Sequence, residues 1–207
     1  MTGSGDAPRS RLHGVYALVD PERVEPVGFT EALLRGGIRL VQVRAKLGID
    51  GTTLIAIVGR VRAAGGVAIV NDDVGLARLA DGVHLGQEDA ATLDLAAVRR
   101  ALGTRVIGLS CGTPAEARAV DSALIDYVGV GPIFASPTKS DAGPPIGISG
   151  VRAVVDASPV PAAAIGGIGL DDLPRVRESG AAMAAVISAL IASDPEAAAR
   201  AFVERWG

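Results

Sequence analysis

The chain has 207 residues, 49% of them hydrophobic and 21% charged, an ordinary globular balance long enough to bury a core. A formal net charge of -3 and a pI near 5.4 leave no general basic surface for nucleic acid or an anionic membrane. Aromatic residues, at 3%, are too few for base-stacking platforms, and Cys111, the one cysteine, excludes an intramolecular disulfide, so a cytoplasmic location is expected.

Small and polar residues over 1–12 predict a disordered lead without the basic and apolar regions of a signal peptide, and 13–207 predict a single domain. Within that domain short β-branched runs alternate with alanine- and leucine-rich helical segments. A strand over 15–19 is followed by a helix over 29–35, a strand over 38–43 by a helix over 52–64, and a strand over 67–70 by a helix over 74–79. The fourth strand, over 82–85, leads through a polar connection at 86–94 to a helix over 95–102. The remaining pairs are 105–109 with 114–120, 127–130 with 150–157, 162–165 with 171–178, and 183–187 with 195–205. Thr113-Pro114-Ala115-Glu116 is a capping box with proline at the first helical position, and Asp194-Pro195 repeats the device. Eight strand–helix units predict an α/β fold, a TIM (β/α)8 barrel, with an open doubly wound sheet as the alternative. No segment approaches the roughly twenty unbroken apolar residues of a membrane-spanning helix.

Active sites of TIM barrels lie at the C-terminal ends of the strands, and polar residues accumulate there. Gln42, Arg44 and Lys46 follow the second strand at a spacing of two, which on an extended chain puts an amide and two cations on one face. Asn71 and Asp72 follow the third strand, Gln87, Glu88 and Asp89 the fourth, and Ser110 the fifth. Asp72 and Asp89 are candidate ligands for Mg²⁺, a hard cation held by one or two carboxylates plus substrate phosphates. Their competing reading is structural: Asp72 or Asp73 as a helix cap, Asp89 in a turn.

Two loops carry a phosphate-binding composition. In Gly129 to Lys139 an apolar strand runs into Ser136, Thr138 and Lys139, two hydroxyl donors and a cation, behind glycines that let backbone approach a ligand. Gly166-Gly167 after the seventh strand, with Ile187 and Ser188 after the eighth, offers backbone donors to an anion, against a competing reading as a tight packed turn. His84 lies inside an apolar strand and His13 near the terminus, so neither is an obvious general base, and no covalent catalysis is expected.

Together Val41 to Lys46, Asn71-Asp72-Asp73, Gly82 to Asp89, Gly108-Leu109-Ser110, Gly129 to Lys139, Ile165 to Ile168 and Val186-Ile187-Ser188 resemble the thiamine-phosphate synthase family, in the family's order and over nearly the whole chain from about residue 14. The resemblance implies a transferase that joins a hydroxymethylpyrimidine diphosphate to a thiazole phosphate, forming thiamine phosphate and releasing pyrophosphate. It implies that Gln42, Arg44, Lys46, Asn71, Ser110 and Lys139 hold the pyrimidine diphosphate, with Arg44, Lys46, Ser110 and Lys139 the catalytic set. It further implies that Asp72 and Asp89 ligate Mg²⁺, and that Ser136, Thr138, Gly167, Ile187 and Ser188 hold the thiazole phosphate. Three positions depart from the family pattern: Ala45 replaces a polar residue, Ser136 a threonine, and Gly112 a histidine on which related thiazole tautomerases are thought to rely. A tautomerase-like enzyme and a non-catalytic thiazole or thiamine phosphate-binding barrel are the alternatives.

Overall fold

The computed structural model describes residues 8–135 and 143–207. Eight parallel strands close into a barrel in sequential order: β1 Gly14–Val19, β2 Leu40–Val43, β3 Val67–Asn71, β4 Gly82–Leu85, β5 Val106–Cys111, β6 Tyr127–Val130, β7 Ala162–Ile165 and β8 Met183–Val186. The last strand pairs with the first, Tyr16 level with Ala185, so the open doubly wound alternative is excluded.

The helices are α1 Pro26–Arg35, α2 Gly51–Ala63, α3 Gln87–Ala91, α4 Leu95–Leu102, α5 Pro114–Arg118, α6 Gly147–Ala157, α7 Leu173–Glu178 and α8 Pro195–Trp206. Both expected caps form: Thr113 and Glu116 exchange side-chain and backbone bonds, and Asp194 accepts from Ala197 N at 2.9 Å. α1 starts three residues earlier than the sequence pattern predicts. Glu25 accepts from the backbone N–H groups of Val27 and Gly28, and Pro26 takes the first turn, where a missing N–H costs nothing.

The third and fourth units depart most from expectation. Instead of a helix over 74–79 there is a single 3-10 turn, Leu76–Arg78, tied off by Asp73, whose Oδ1 accepts from Leu76 N at 2.8 Å. The polar connection 86–94 holds α3, unforeseen because five residues are too few to show helical periodicity. Strand β5 runs two residues further than predicted, so Ser110 and Cys111 are part of the strand rather than of the loop beyond it.

Alternation along the strands separates two apolar cores. Tyr16, Leu18, Leu40, Val67, Ile69, Val106, Tyr127, Ala163, Met183 and Ala185 fill the lumen. Their neighbours in sequence, among them Ala17, Val41, Ala68, Ile107, Val128 and Ala184, pack outward under the helices. The two tyrosine rings are accommodated by small partners in register, Ala185 beside Tyr16 and Gly108 beside Tyr127.

The N-terminal end of the barrel is closed by Asp126, whose side chain is 3% exposed. It accepts from Arg99 Nη2 at 2.6 Å and Ile107 N at 2.7 Å, and pairs with Arg9 Nε at 2.7 Å. Arg9 belongs to a 3-10 turn, Pro8–Arg11, and Leu12 is buried, so residues 8–12, which the sequence pattern puts in a disordered lead, pack on the barrel.

Candidate active site

At the C-terminal mouth the inward phase of each strand determines which side chains face the lumen. On β2 that phase carries Leu40 and Gln42. Gln42 is 3% exposed and donates from Nε2 to Tyr16 Oη at 2.8 Å. Arg44, one residue past the strand, pairs with the buried Asp20 at 3.7 Å. Asp20 also accepts from Glu22 N, while Glu22 accepts from Leu47 N, so the loop after β1 holds the loop after β2. Lys46 sits in a turn of that second loop and is exposed. Of the expected face of one amide and two cations, Gln42 is on the strand, and Arg44 and Lys46 lie on the loop beyond it.

Asn71 is the last residue of β3, and Asp72 follows with φ +60°, the one described non-glycine residue in the left-handed region. Asp72 Oδ1 accepts from Gly86 N at 3.0 Å, and the Asn71 amide donates to Asp72 Oδ2. Asp89, on the first turn of α3, approaches the same carboxylate. Partial burial, followed by the negative charge of Asp89, holds the Asp72 carboxyl above its ordinary value, against the lowering effect of the Gly86 N–H. Capping of the turn at Leu76 falls to Asp73, leaving Asp72 and Asp89 as a facing pair. Among the described residues no group of three or more His, Cys, Asp or Glu side chains gathers as a metal site.

Ser110 faces the lumen from β5, and its Oγ lies 3.0 Å from His84 Nε2. His84 Nδ1 lies 2.9 Å from Tyr127 Oη, and that hydroxyl lies 2.9 Å from Tyr16 Oη. Burial drives both phenols far above their ordinary pKa, so both keep their protons at any pH at which the protein works. His84 is thus a half-buried, hydrogen-bonded residue of the barrel. Tyr16, Tyr127 and Asp20 escaped the sequence reading. A signal was present: the chain has only two tyrosines, both inside strands, and a buried phenol needs a polar partner.

The two glycine loops touch one another. Ile133 N donates to Ile165 O at 2.9 Å and Phe134 N to Gly166 O at 3.1 Å. A Cβ on Gly131 would lie 2.1 Å from Ile165 O, and one on Gly167 would lie 2.8 Å from Ala135 O. Gly166 and Gly167 also have positive φ, so the packed-turn reading holds for them whatever else they bind. Gly167 and Ser188 are exposed beyond β7 and β8, and Ile187 is half-buried between them and the lumen core. Ser136, Thr138 and Lys139 lie outside the described residues.

Gly129 has a different role from the one its sequence context suggests. A Cβ there would lie 2.8 Å from His84 Cε1, so the glycine admits an imidazole rather than a ligand. Cys111 points outward into the helix-packed core. Gly112 N donates to Glu116 Oε2 at 2.6 Å, and a Cβ at Gly112 would meet that oxygen at 3.6 Å, an ordinary contact.

A closed eight-stranded parallel barrel with amide, hydroxyl, guanidinium and paired carboxylates at its C-terminal mouth is a TIM-barrel scaffold with a polar mouth where barrels of this fold carry their active sites. The thiamine monophosphate synthase family model matches residues 15–190, and the chain belongs to that family, among enzymes of the transferase class. It is 45% identical over 197 residues to the thiamine-phosphate synthase of Anaeromyxobacter dehalogenans, covering 92% of this chain and 86% of that protein. It is 44% identical over 205 residues to the thiamine biosynthesis bifunctional protein ThiM/ThiE of Symbiobacterium thermophilum; that match covers 95% of this chain and 42% of the longer relative. Among solved structures, thiamine phosphate pyrophosphorylase from Pyrococcus furiosus superposes with a TM-score of 0.82 at 27% identity, covering 94% of this chain and 96% of that one. No helix among the described residues is long and apolar enough to cross a membrane.

Proposed function

We propose that the protein is a thiamine-phosphate synthase that condenses 4-amino-2-methyl-5-(diphosphooxymethyl)pyrimidine with a thiazole phosphate, releasing pyrophosphate, in the cytoplasm. The observation that carries this reading is the arrival of Gln42, Arg44, Asn71, Asp72, Asp89 and Ser110, from four different strand–helix units, at one end of one barrel. These are the positions that the family resemblance assigns to the diphosphate substrate and its metal.

The facing Asp72 and Asp89 carboxylates fit Mg²⁺. Two hard oxygen donors whose mutual repulsion raises one of them form a partial shell that water and a diphosphate would complete. When bound, the cation neutralises charge on the departing pyrophosphate. The chain's own residues do the rest by position. Arg44, held by Asp20, and Lys46 place positive charge beside the leaving group, and Gln42 and Ser110 orient the pyrimidine. As the C–O bond breaks, the aminopyrimidine spreads the positive charge of its methylene, and the thiazole nitrogen attacks. No protein nucleophile is required. Lys139 joins the diphosphate set in this reading, and Ser136, Thr138, Gly167, Ile187 and Ser188 hold the thiazole phosphate.

Gly112 supports the synthase over a thiazole tautomerase, since the histidine expected of a tautomerase in this segment is replaced by a residue with no side chain. Incubation with both substrates and Mg²⁺ should yield thiamine phosphate and pyrophosphate. Folded protein that binds both ligands without forming product would replace this reading with that of a phosphate-binding barrel.

A further inference from the structure

Five side chains from five strands form one hydrogen-bonded line across the lumen. Gln42 Nε2 meets Tyr16 Oη at 2.8 Å, Tyr16 meets Tyr127 Oη at 2.9 Å, Tyr127 meets His84 Nδ1 at 2.9 Å, and His84 Nε2 meets Ser110 Oγ at 3.0 Å. The two ends, Gln42 and Ser110, are substrate-binding residues in the function proposed above. The three middle residues have no role in it.

The line has a direction. Each phenol has one proton to give, and with Gln42 donating to Tyr16 the arrangement in which every proton of the line finds an acceptor has Tyr16 donating to Tyr127 and Tyr127 to His84 Nδ1. A neutral imidazole that accepts at Nδ1 carries its proton on Nε2 and donates it to Ser110 Oγ. The Ser110 hydroxyl proton is thereby turned away from His84. Reversal requires every member to change at once: the Gln42 amide inverted, the imidazole proton on Nδ1, and the Ser110 proton directed inward. A partial reversal leaves two protons or two lone pairs facing each other, which costs the bond at that point of the line.

The sheet has been shaped around this line. A Cβ on Gly108 would lie 2.2 Å from Tyr127 Cζ and 2.6 Å from His84 Nδ1, and a Cβ on Gly129 would lie 2.8 Å from His84 Cε1. Neither glycine has positive φ, so the backbone does not demand glycine at either place. Two strands give up a side chain to seat the phenol and the imidazole.

We propose that Tyr16, Tyr127 and His84 are positioning residues that lock the hydrogen-bond polarity of Gln42 and Ser110 together. Ser110 then presents a proton while Gln42, whose Nε2 is committed to Tyr16, presents its carbonyl oxygen, one donor and one acceptor of fixed sign toward a ring bearing an amino group and ring nitrogens. A 4-oxo pyrimidine, with donor and acceptor exchanged, is refused by the same lock. The substrate part of this inference rests on the synthase reading; the lock itself does not.

The lock is tested without activity by ¹⁵N NMR of the imidazoles, which is tractable because the chain has two histidines, His13 and His84. His84 is expected as a single Nε2–H tautomer in the wild type and as a mixture in Tyr127→Phe, which keeps the ring and removes the link. A mixture in the wild type, or an unchanged tautomer in the variant, overturns the lock. For substrate binding, Tyr127→Phe and Tyr16→Phe should each raise KM for the pyrimidine diphosphate about tenfold, the worth of one hydrogen bond, and leave KM for the thiazole phosphate unchanged. Discrimination against the 4-oxo analogue should fall with it. In a Ser110→Ala background Tyr127→Phe should add little, since its effect passes through Ser110. Equal losses for both substrates, or full additivity with Ser110→Ala, would show ordinary packing instead. Absence of wild-type turnover with an intact His84 tautomer would refute the synthase reading and leave the lock standing.

Discussion

Asp72 and Asp89 stand on either side of Gly86: a Cβ on that glycine would lie 2.8 Å from Asp89 Oδ2 and 3.7 Å from Asp72 Oδ1. The Gly86 N–H binds one carboxylate, and the missing side chain leaves room for the other. The two stand seventeen positions apart in the sequence, and the loops after β3 and β4 bring them together.

Replacing Asp72 by Asn should therefore separate function from stability. Asn tolerates the left-handed backbone at φ +60° and keeps an acceptor for Gly86 N. It also removes the repulsion from Asp89. The melting temperature without metal should stay the same or rise slightly, while turnover at fixed Mg²⁺ falls a hundredfold or more, about 3 kcal/mol of leaving-group stabilisation. A large drop in melting temperature at normal specific activity would return Asp72 to a structural role.

Asp126 predicts the opposite pattern. Its carboxylate is buried between Arg99 and Arg9 at the closed end of the barrel, far from the mouth. Asp126→Ala leaves the Ile107 N–H without its acceptor and takes the carboxylate from Arg99, which keeps the carbonyls of Leu124 and Arg105, at a cost of about 1–3 kcal/mol. Urea unfolding should show the loss, and KM for either substrate should be unchanged in the folded fraction.

Gly108→Ala should destabilise more than Gly129→Ala. The first places a methyl 2.2 Å from a tyrosine ring carbon that is itself 0% exposed, and the second only 2.8 Å from an imidazole edge. Overpacking of this kind costs about 1–3 kcal/mol, with the tighter site at the upper end. Equal melting temperatures for the two variants would contradict the packing described for the lumen.

Cys111 should behave as a buried thiol. Burial, and then the charge of Glu116, push its pKa up to about 11, and the residue is 3% exposed. At pH 8 roughly one thiol in a thousand is ionised. Reaction with a disulfide reagent should be slow in the native protein, accelerate about tenfold per pH unit toward pH 11, and become fast on unfolding in urea. Rapid stoichiometric labelling of native protein at pH 7 would place the thiol elsewhere.

The alternation of strand and helix made the barrel legible, since each element is a local hydrophobic pattern. The boundaries that moved did so for non-local reasons. Ser110 and Cys111 are strand because their partners Gly129 and Val130 extend the ladder, which no local property of Gly108-Leu109-Ser110 reveals. The helix expected at 74–79 is a single turn because the chain returns at once to β4, which begins at Gly82.

The sequence by itself determined the strand and helix alternation, the place of Gln42 at the end of the second strand, and the two candidate carboxylates. These follow from residue type and from the fixed periods of strand and helix. Tertiary structure decided which groups meet: Asp72 with Asp89, Arg44 with Asp20, and Tyr16 with Tyr127 across 111 residues. It also assigned the glycines, turning Gly108 and Gly129 into space for Tyr127 and His84 and the pair Gly166-Gly167 into a turn against Pro132 to Ala135. A glycine in a sequence marks that something comes close, but only the closed barrel says what, because the approaching atom belongs to a strand far away in the chain.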